Sequence, residues 1–495
     1  MSEHFGIDFG TTNSATVRIE RELIDRYSDQ EGLPYPSIIA IDKMTGKVKS
    51  RGRDAWKKRE KLRESCEIIT SVKTYLGTDK TWNIGNRTWR PRQVVTEILR
   101  GLKEQVSKIS DGVDMDSAVV AIPIGFSPIK RRELRKAASD AGINILNFVS
   151  EPSAAVFKHY SEVSKWQKVA IFDWGGGTLD IAVVELNNGN VIEMSTLGKP
   201  LGGANIDAKV AEWAHIQALK EMRVKIPFKE MLSSSRDDML DQAEYVKIAL
   251  SNENETTIAL LDYGELDQHI EIKMNVDKFV SLIEPELNKA IAYLKEAVKL
   301  ASLSIDELGC ILMVGGSSKL QGLLERMSKA FDCEIIEPDK DSDWHVAHGA
   351  ALLNKTQGEY RVSQNIGLLL SDDTYFPLIE QGEIVRHKEQ IVTFALVEGN
   401  PKDNPENNPS AHFIFMETTD NSPTVFDCDR KTIGYLSVPS YGFLFEPIEL
   451  SFQIDKNLLF TVTAKSSNMA QNDYKTWEYD KMRFSYNLPM PNKKR

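Results

Sequence analysis

Along the first 355 residues, short runs rich in Val and Ile alternate with longer stretches whose apolar positions recur at helical spacing. The runs at 5–8, 15–19, 117–122, 168–172, 180–186, 191–196 and 309–314 are bounded by Gly, Asp or Asn and predict strands. The stretches at 92–109, 128–141, 151–160, 206–222, 237–249, 276–301, 319–329 and 345–354 predict helices. In the first of these, Val95, Ile98, Leu99, Leu102, Val106 and Ile109 share one face, with Lys and Glu between them. Strands interleaved with helices of this length predict an α/β sheet covered by helices.

After Asn354 the texture changes. Residues 355–363 are polar and read as a connector. Short alternating runs then follow at 391–397, 411–416, 432–438, 448–454 and 458–464. Turn chemistry separates them, as at Asp372-Asp373, Asn404-Pro405, Asp420-Asn421 and Asp455-Lys456-Asn457. No long helical pattern interrupts them, which predicts an all-β module of sandwich type. The expected organisation is an α/β domain over 1–355, a linker over 356–364, a β-sandwich over 365–488 and a frayed tail over 489–495.

One pattern occurs twice. Gly6-Ile7-Asp8-Phe9-Gly10-Thr11-Thr12-Asn13 resembles Ile171-Phe172-Asp173-Trp174-Gly175-Gly176-Gly177-Thr178. Each has an apolar strand, an Asp, an aromatic, and a turn of Gly and small hydroxylated residues before a second apolar run. This predicts a duplicated lobe with one hairpin per lobe. Glycine turns let backbone N–H groups approach an anion closely. A carboxylate aimed at an anion makes sense when a cation lies between them, and magnesium does so while keeping several of its waters. Asp8 and Asp173, with Asp180 beyond the second turn, therefore suggest a magnesium nucleotide held between two lobes. No GxxxxGK[ST] is present, so the site is not a P-loop.

Composition narrows the classes. At 495 residues the chain exceeds one ordinary core, and 41% apolar content supports packed domains. Lys and Arg number 61 against 72 Asp and Glu, a net charge of −11, and no basic stripe suggests nucleic acid. The cluster Lys57, Lys58, Arg59, Lys61 and Arg63 is interleaved with glutamates and reads as a solvated helix face. The cysteines at 66, 310, 333 and 428 form no CxxC, which suggests scattered thiols in a reducing compartment. No run reaches the length of a membrane span and no secretory signal is visible, so a cytoplasmic, monomeric protein is expected. His345 and His348 are three apart on a helix and read as core or cap histidines rather than metal ligands.

The two hairpins resemble the phosphate motifs of the actin, sugar-kinase and heat-shock ATPase superfamily. More closely, the chain resembles the DnaK-type seventy-kilodalton heat-shock chaperones. The likeness continues through Ala118-Val-Val-Ala-Ile-Pro123, Glu151-Pro-Ser-Ala-Ala155, Leu201-Gly-Gly203 with Asp207, Val314-Gly-Gly-Ser-Ser318 and Val346-Ala-His-Gly-Ala-Ala351. It implies a two-lobed actin-like ATPase fold with duplicated subdomains, followed by a β domain that binds substrate. It implies ATP and ADP with Mg2+ as ligands. Gly10, Thr11, Thr12, Asn13, Gly175, Gly176 and Gly177 would hold phosphates, and Thr178 would lie near the γ-phosphate. Lys73, in Ser71-Val72-Lys73-Thr74-Tyr75, matches the catalytic lysine, and Glu151 would reach the magnesium water shell. Asp8 and Asp173 would hold magnesium mainly through water, with Asp180 beside them. Gly202, Gly203, Glu244, Lys247, Ser251, Gly315, Gly316, Ser317, Lys319 and Asp343 would complete the nucleotide site. Pro123 and Arg131 match a switch that reports nucleotide state.

The resemblance also marks departures. Ile248 stands where an Arg usually stacks on adenine, and Lys319 where Arg is usual. The connector lacks the usual run of leucines, the loop after Leu370 is short and acidic, and the loop 398–410 is enlarged. The β module is expected to lack the helical lid that the resemblance would place after it. Leu369, Tyr375 and Phe394 are the candidates for a peptide cleft. The expected partners are an unfolded or dedicated protein client and a J-domain-type co-chaperone, with no nucleic acid and no membrane. The implied activity is slow ATP hydrolysis coupled to client binding. The other reading is an ATP-sensing scaffold with little turnover.

Overall fold

The computed structural model describes residues 3–222, 226–261, 263, 269–357, 359–396, 410–418, 430–440, 445–467 and 474–488. Most of the enlarged loop at 398–410, the turn at Asp420-Asn421, Cys428 and the tail at 489–495 lie outside the described residues. Contacts divide the chain into two units. Unit 1 is Met1–Gly125, Glu133–Asn187 and Ser195–Lys355; unit 2 is Phe126–Arg132, Asn188–Met194 and Thr356–Arg495.

Unit 1 begins with a hairpin of β1 (His4–Asp8) and β2 (Asn13–Glu20), and β3 (Leu23–Arg26) and the two-residue β4 (Tyr35–Pro36) both pair with β2. A small sheet of β5 (Ile39–Asp42), β6 (Val48–Arg51) and β7 (Cys66–Ile69) follows, with α1 (Gly52–Lys57) and α2 (Arg59–Ser65) between its last two strands. The one-turn α3 (Val72–Tyr75) and the hairpin of β8 (Trp82–Ile84) and β9 (Arg87–Trp89) lead to α4 (Pro91–Ile109). Pro91 opens α4 where its missing N–H costs nothing, and the Gln93 side chain accepts from the Arg90 N–H at 2.8 Å. β10 (Ser117–Ile122) lies parallel to β1, α5 (Pro128–Asp140) follows, and β11 (Asn144–Ser150) lies parallel to β10 before α6 (Glu151–Val163). The first sheet thus reads β11-β10-β1-β2-β3.

The second half starts in the same way. β12 (Lys168–Trp174) and β13 (Leu179–Asn187) form a hairpin, and β14 (Asn190–Lys199), α7 (Gly203–Met222) and α8 (Ser233–Ala249) follow. A hairpin of β15 (Glu255–Leu260) and β16 (Ile270–Asn275) leads to α9 (Val276–Leu300). β17 (Cys310–Val314) lies parallel to β12; after α10 (Leu323–Ala330), β18 (Glu334–Ile336) lies parallel to β17, and α11 (His345–Thr356) ends the unit. The order β18-β17-β12-β13 repeats β11-β10-β1-β2, so each hairpin is flanked by the same parallel neighbours. Central strands are buried on both faces: Val169 to Phe172 and Ile181 to Val184 are all inaccessible, as continuous apolar runs require.

One predicted helix is redrawn. Residues 319–329 are not one helix but a 3-10 turn at Gly316–Lys319 and then α10 from Leu323. Gly322 takes φ 79°, a left-handed conformation that ends the turn and restarts the chain as a helix.

Unit 2 is built from strands after α11. β19 (Tyr360–Val362) lies inside the expected linker, followed by β20 (Asn365–Leu369), β21 (Tyr375–Ile379), β22 (Gln390–Leu396), β23 (Ser410–Thr418) and β24 (Arg430–Pro439). β25 (Glu446–Ile454), β26 (Phe460–Ser466), β27 (Lys475–Tyr479) and β28 (Phe484–Asn487) complete it. Two four-stranded antiparallel sheets result, β21-β20-β23-β24 and β22-β25-β26-β27. β25 alternates buried and half-buried residues along its length, the mark of a sheet with one face in a core. Phe415 of the first sheet stacks on Trp477 of the second at 4.2 Å between ring centres. β19 pairs with β28, so the polar connector is drawn into a sheet rather than left irregular.

Among the described residues no helix is long and apolar enough to cross a membrane. Cys66, Cys310 and Cys333 are free thiols.

Candidate functional site

Asp8 ends β1 and Asp173 sits near the end of β12, each at the carboxyl edge of a central strand. Buried apolar neighbours fix both strands, so the chain turns at their ends and leaves each aspartate facing the crevice where α/β sheets take ligands. Both line a cavity of about 400 Å³ that lies wholly within unit 1.

The two hairpin turns form its floor. Gly10, Thr11, Thr12 and Asn13 come from the first, and Gly175, Gly176, Gly177 and Thr178 from the second. Each turn is tied from behind. Ser37 donates its N–H to Thr12 O at 2.8 Å and its hydroxyl to Gly10 O at 3.0 Å. Gly203 N–H and Ala204 N–H donate to Gly175 O at 3.0 Å and Gly176 O at 2.8 Å. Gly202 and Gly203 therefore support the second turn rather than line the cavity. A Cβ on Gly202 would lie 2.4 Å from the Gly177 carbonyl carbon, so only glycine fits there.

Lys73, on α3, and Glu151, the first residue of α6, meet at 2.9 Å inside the cavity, and both are buried. Ser150 caps α6 by accepting from the Ser153 N–H at 3.2 Å, which places the Glu151 carboxylate at a helix N-terminus. Asp180 lies behind this pair, and its carboxylate accepts from the Ile124 N–H at 2.8 Å and from Thr178. One lysine thus faces Asp8, Glu151, Asp173 and Asp180. Burial and the nearby Glu151 push Asp8 and Asp180 each up to about 7, with Lys73 pulling back. Burial, with Glu151, Asp180 and Asp8 around it, holds Asp173 well above the carboxylate range. Burial opposes the charge on Lys73, yet Glu151 and Asp8 carry its pKa above the ordinary value. Such an excess of buried carboxylates fits a divalent cation. Among the described residues no three acidic, His or Cys side chains converge as direct metal ligands.

The opposite wall is formed by α8 and the turn after β17. Glu244, Lys247, Ile248 and Ser251 line the cavity together with Gly315, Gly316, Ser317, Lys319 and Asp343. Lys247 lies 2.8 Å from the Asp207 carboxylate. Burial raises Asp207 to about 6, and Lys247 limits the rise. The Ser317 hydroxyl donates to Gly175 O at 3.0 Å, joining this wall to the second hairpin. Ile248 is 58% exposed, an apolar side chain at the mouth. Every expected nucleotide residue except Gly202, Gly203 and Asp180 lines the cavity directly.

Pro34, Asn252, Ser342 and Val346 also line it. Nothing in the local pattern marks Pro34, Asn252 or Ser342, whereas Val346 opens the Val346–Ala351 run that carries part of the likeness. The basic cluster is corrected in part. Arg59 and Arg63 of α2 are not merely solvated: Arg59 lies 3.3 Å and Arg63 3.2 Å from Asp241 of α8, and Arg63 also pairs with Asp238. The partners are about 180 positions away in sequence, so only the tertiary structure shows them.

The remaining candidates fall elsewhere. Pro123 is buried just after β10. Within unit 2, Arg131 is buried and donates to Phe126 O at 2.8 Å, Asn457 O at 3.1 Å, and Leu458 O and Asp480 O, each at 3.2 Å. Tyr375 is buried opposite Leu369, with Arg430 over its ring at 5.1 Å. Phe394 is half-buried and packs edge-on against Phe376 at 5.2 Å and Phe413 at 5.8 Å. His345 and His348 are buried, and His345 contacts His159 at 2.8 Å.

The family model described as Hsp70 protein matches residues 80–394, more than half of the 495-residue chain.

Proposed function

This chain belongs to the Hsp70 family, and from that premise we propose that its cavity binds magnesium ATP and hydrolyses it between two actin-like lobes. The family's members are ATPases that bind ATP and ADP with magnesium and serve as chaperones for unfolded clients together with co-chaperones. The observation that carries the reading is the buried Lys73–Glu151 pair at 2.9 Å, set among Asp8, Asp173 and Asp180 between two glycine hairpins. The repeated strand order around the hairpins supports the duplicated lobes.

In this reading Gly10, Thr11, Thr12, Asn13 and Gly175 to Gly177 cradle the phosphates, with Thr178 beside the γ-phosphate. Asp8 and Asp173 hold magnesium through its waters, and Glu151 and Asp180 complete the polar surround. When bound, magnesium would offset the charge of these carboxylates and draw charge from the phosphate oxygens. Lys73, oriented by Glu151, meets the charge that develops on the phosphoryl group and positions the attacking water. Water attacks in line, the bond to the β-phosphate oxygen breaks, and ADP and phosphate leave. Glu244, Lys247, Ser251, Gly315, Gly316, Ser317, Lys319 and Asp343 hold the adenosine end. Pro123 and Arg131 report the nucleotide state, and the β-sandwich takes an extended client segment beside Leu369 and Phe394. Tyr375 supports that sandwich from its core.

Phosphate release from magnesium ATP by the purified chain tests this, beside Asp173→Ala and with an unfolded client added. Turnover lost in the variant and raised by client is the expected result. Tight ATP binding without phosphate release would replace it with the ATP-sensing scaffold.

A further inference from the structure

Unit 1 holds a second cavity, about 620 Å³, that shares no lining residue with the one described above. α1 and the second half of α4 form its walls. Its size falls within the range of small-molecule pockets. Arg26, Arg51, Arg53, Lys57 and Lys108 line it beside the carboxylates Asp29 and Glu104, and Arg26 and Lys57 also pair with Asp341 at 3.0 Å and Glu31 at 2.6 Å, outside the lining.

The cations are held in position. Arg51 spans Glu97 at 2.6 Å and Glu104 at 2.5 Å, and Arg53 pairs with Asp29. Asp29 is itself fixed by the Glu31 N–H at 2.9 Å and the Leu33 N–H at 3.0 Å. A guanidinium has five N–H donors, so one or two carboxylate contacts leave donors to spare. Lys108 has no ion pair among the described residues.

At the floor lies Tyr35, only 7% exposed, whose hydroxyl has no hydrogen-bond partner. Its ring is clamped by Gly52 and Gly101: a Cβ on Gly52 would lie 2.3 Å from the ring, and one on Gly101 would lie 2.0 Å from the hydroxyl. The side-chain oxygen of Gln105, also on the lining, is buried and unpartnered. An orphaned buried donor and acceptor are costly unless a ligand satisfies them.

We propose that this cavity binds a small phosphate ester that also carries hydroxyl groups, the phosphate meeting the cations and the hydroxyls meeting Tyr35 and Gln105. Occupancy is felt at the first phosphate hairpin. Tyr35 lines this cavity and pairs with Ser14, its neighbour Pro34 lines the nucleotide cavity, and Ser37 bonds Gly10 and Thr12, so the segment from Pro34 to Ser37 runs between the two cavities.

Calorimetric titration of the full chain with glucose 6-phosphate, ribose 5-phosphate and glycerol 3-phosphate tests this, with and without saturating magnesium ADP. The expected result is saturable one-to-one binding of at least one ester in both conditions, and none of glucose. Lys108→Glu should weaken it at least tenfold and Tyr35→Phe several-fold, with ADP affinity unchanged in the absence of ester and the ligand-free thermal midpoint of Tyr35→Phe no lower than that of the wild type. The ester and ADP should alter each other's affinity by the same factor. Absence of saturable binding by all three esters overturns the proposal. So does binding that ADP abolishes and neither substitution weakens, because it would then belong to the nucleotide cavity; independence of the two ligands overturns the coupling.

Discussion

Replacing Lys73 with Ala removes the ammonium that faces Asp8, Glu151, Asp173 and Asp180. Breaking a buried ion pair from one side costs about 3–5 kcal/mol, because the remaining charge is left uncompensated. For a large unit, at roughly 2 °C per kcal/mol, that is about 6–10 °C in thermal midpoint. The cost should depend on pH. Asp8 and Asp180 have folded values raised to about 7, so folding takes up protons between the ordinary aspartate value and about 7, and stability of the nucleotide-free protein falls as pH rises through that window. Without Lys73 the folded values rise further, since Lys73 is what pulls them down, and the fall continues to higher pH. Near pH 6 protons partly replace the lost ammonium; near pH 8 they do so less. Calorimetric unfolding of nucleotide-free wild type and Lys73→Ala at both pH values should show the larger gap at pH 8. Single-turnover phosphate release should drop about 10²–10³-fold, the usual effect of losing one preorganised group at a developing charge. An equal gap at both pH values would refute the electrostatic account, and undiminished turnover would remove Lys73 from the chemistry.

The nucleotide should also respond to changes at the rim. Arg63→Ala breaks the ties to Asp238 and Asp241 on α8; at up to about 1 kcal/mol for such partly exposed pairs, labelled ADP should leave up to about fivefold faster in stopped flow, and an unchanged dwell would show that α8 needs no such tie. Ile248→Arg places a cation at the 58% exposed position on the cavity mouth and should slow ADP release about fivefold through roughly 1 kcal/mol of stacking; no change would mean the base does not lie there. Gly202→Ala sets a methyl group 2.4 Å from the Gly177 carbonyl carbon, and overpacking of about 1–3 kcal/mol at the second hairpin should weaken ATP binding tenfold or more by titration, whereas wild-type affinity would show that the turn yields freely.

Much of this site is legible without coordinates because it is built from local pattern. Asp8 ends β1 and Asp173 stands one residue before the end of β12, on strands whose apolar runs need no distant partner to be recognised, and the glycine turns follow closely. The helix ends were less so. Apolar spacing over 319–329 suggests one helix, but Gly322 with φ 79° divides it, and spacing alone does not register a left-handed residue. The connector after Thr356 is polar, yet β19 forms there because β28 supplies its hydrogen bonds. The Tyr35 cavity had no signal, since Gly52 and Gly101 are unremarkable in sequence and matter only because both meet one ring.

By itself the sequence determined the α/β alternation, the two Asp-led hairpins and the family likeness, because strand burial, turn chemistry and backbone access to an anion are set within a few residues. The tertiary structure decided which distant groups meet. It joined Lys73 to Glu151, Arg63 to Asp241, and Tyr35 to α1 and α4. Burial and charge then act through space, so the raised values of Asp8 and Asp180, and the orphaned hydroxyl of Tyr35, exist only once the chain has closed around them.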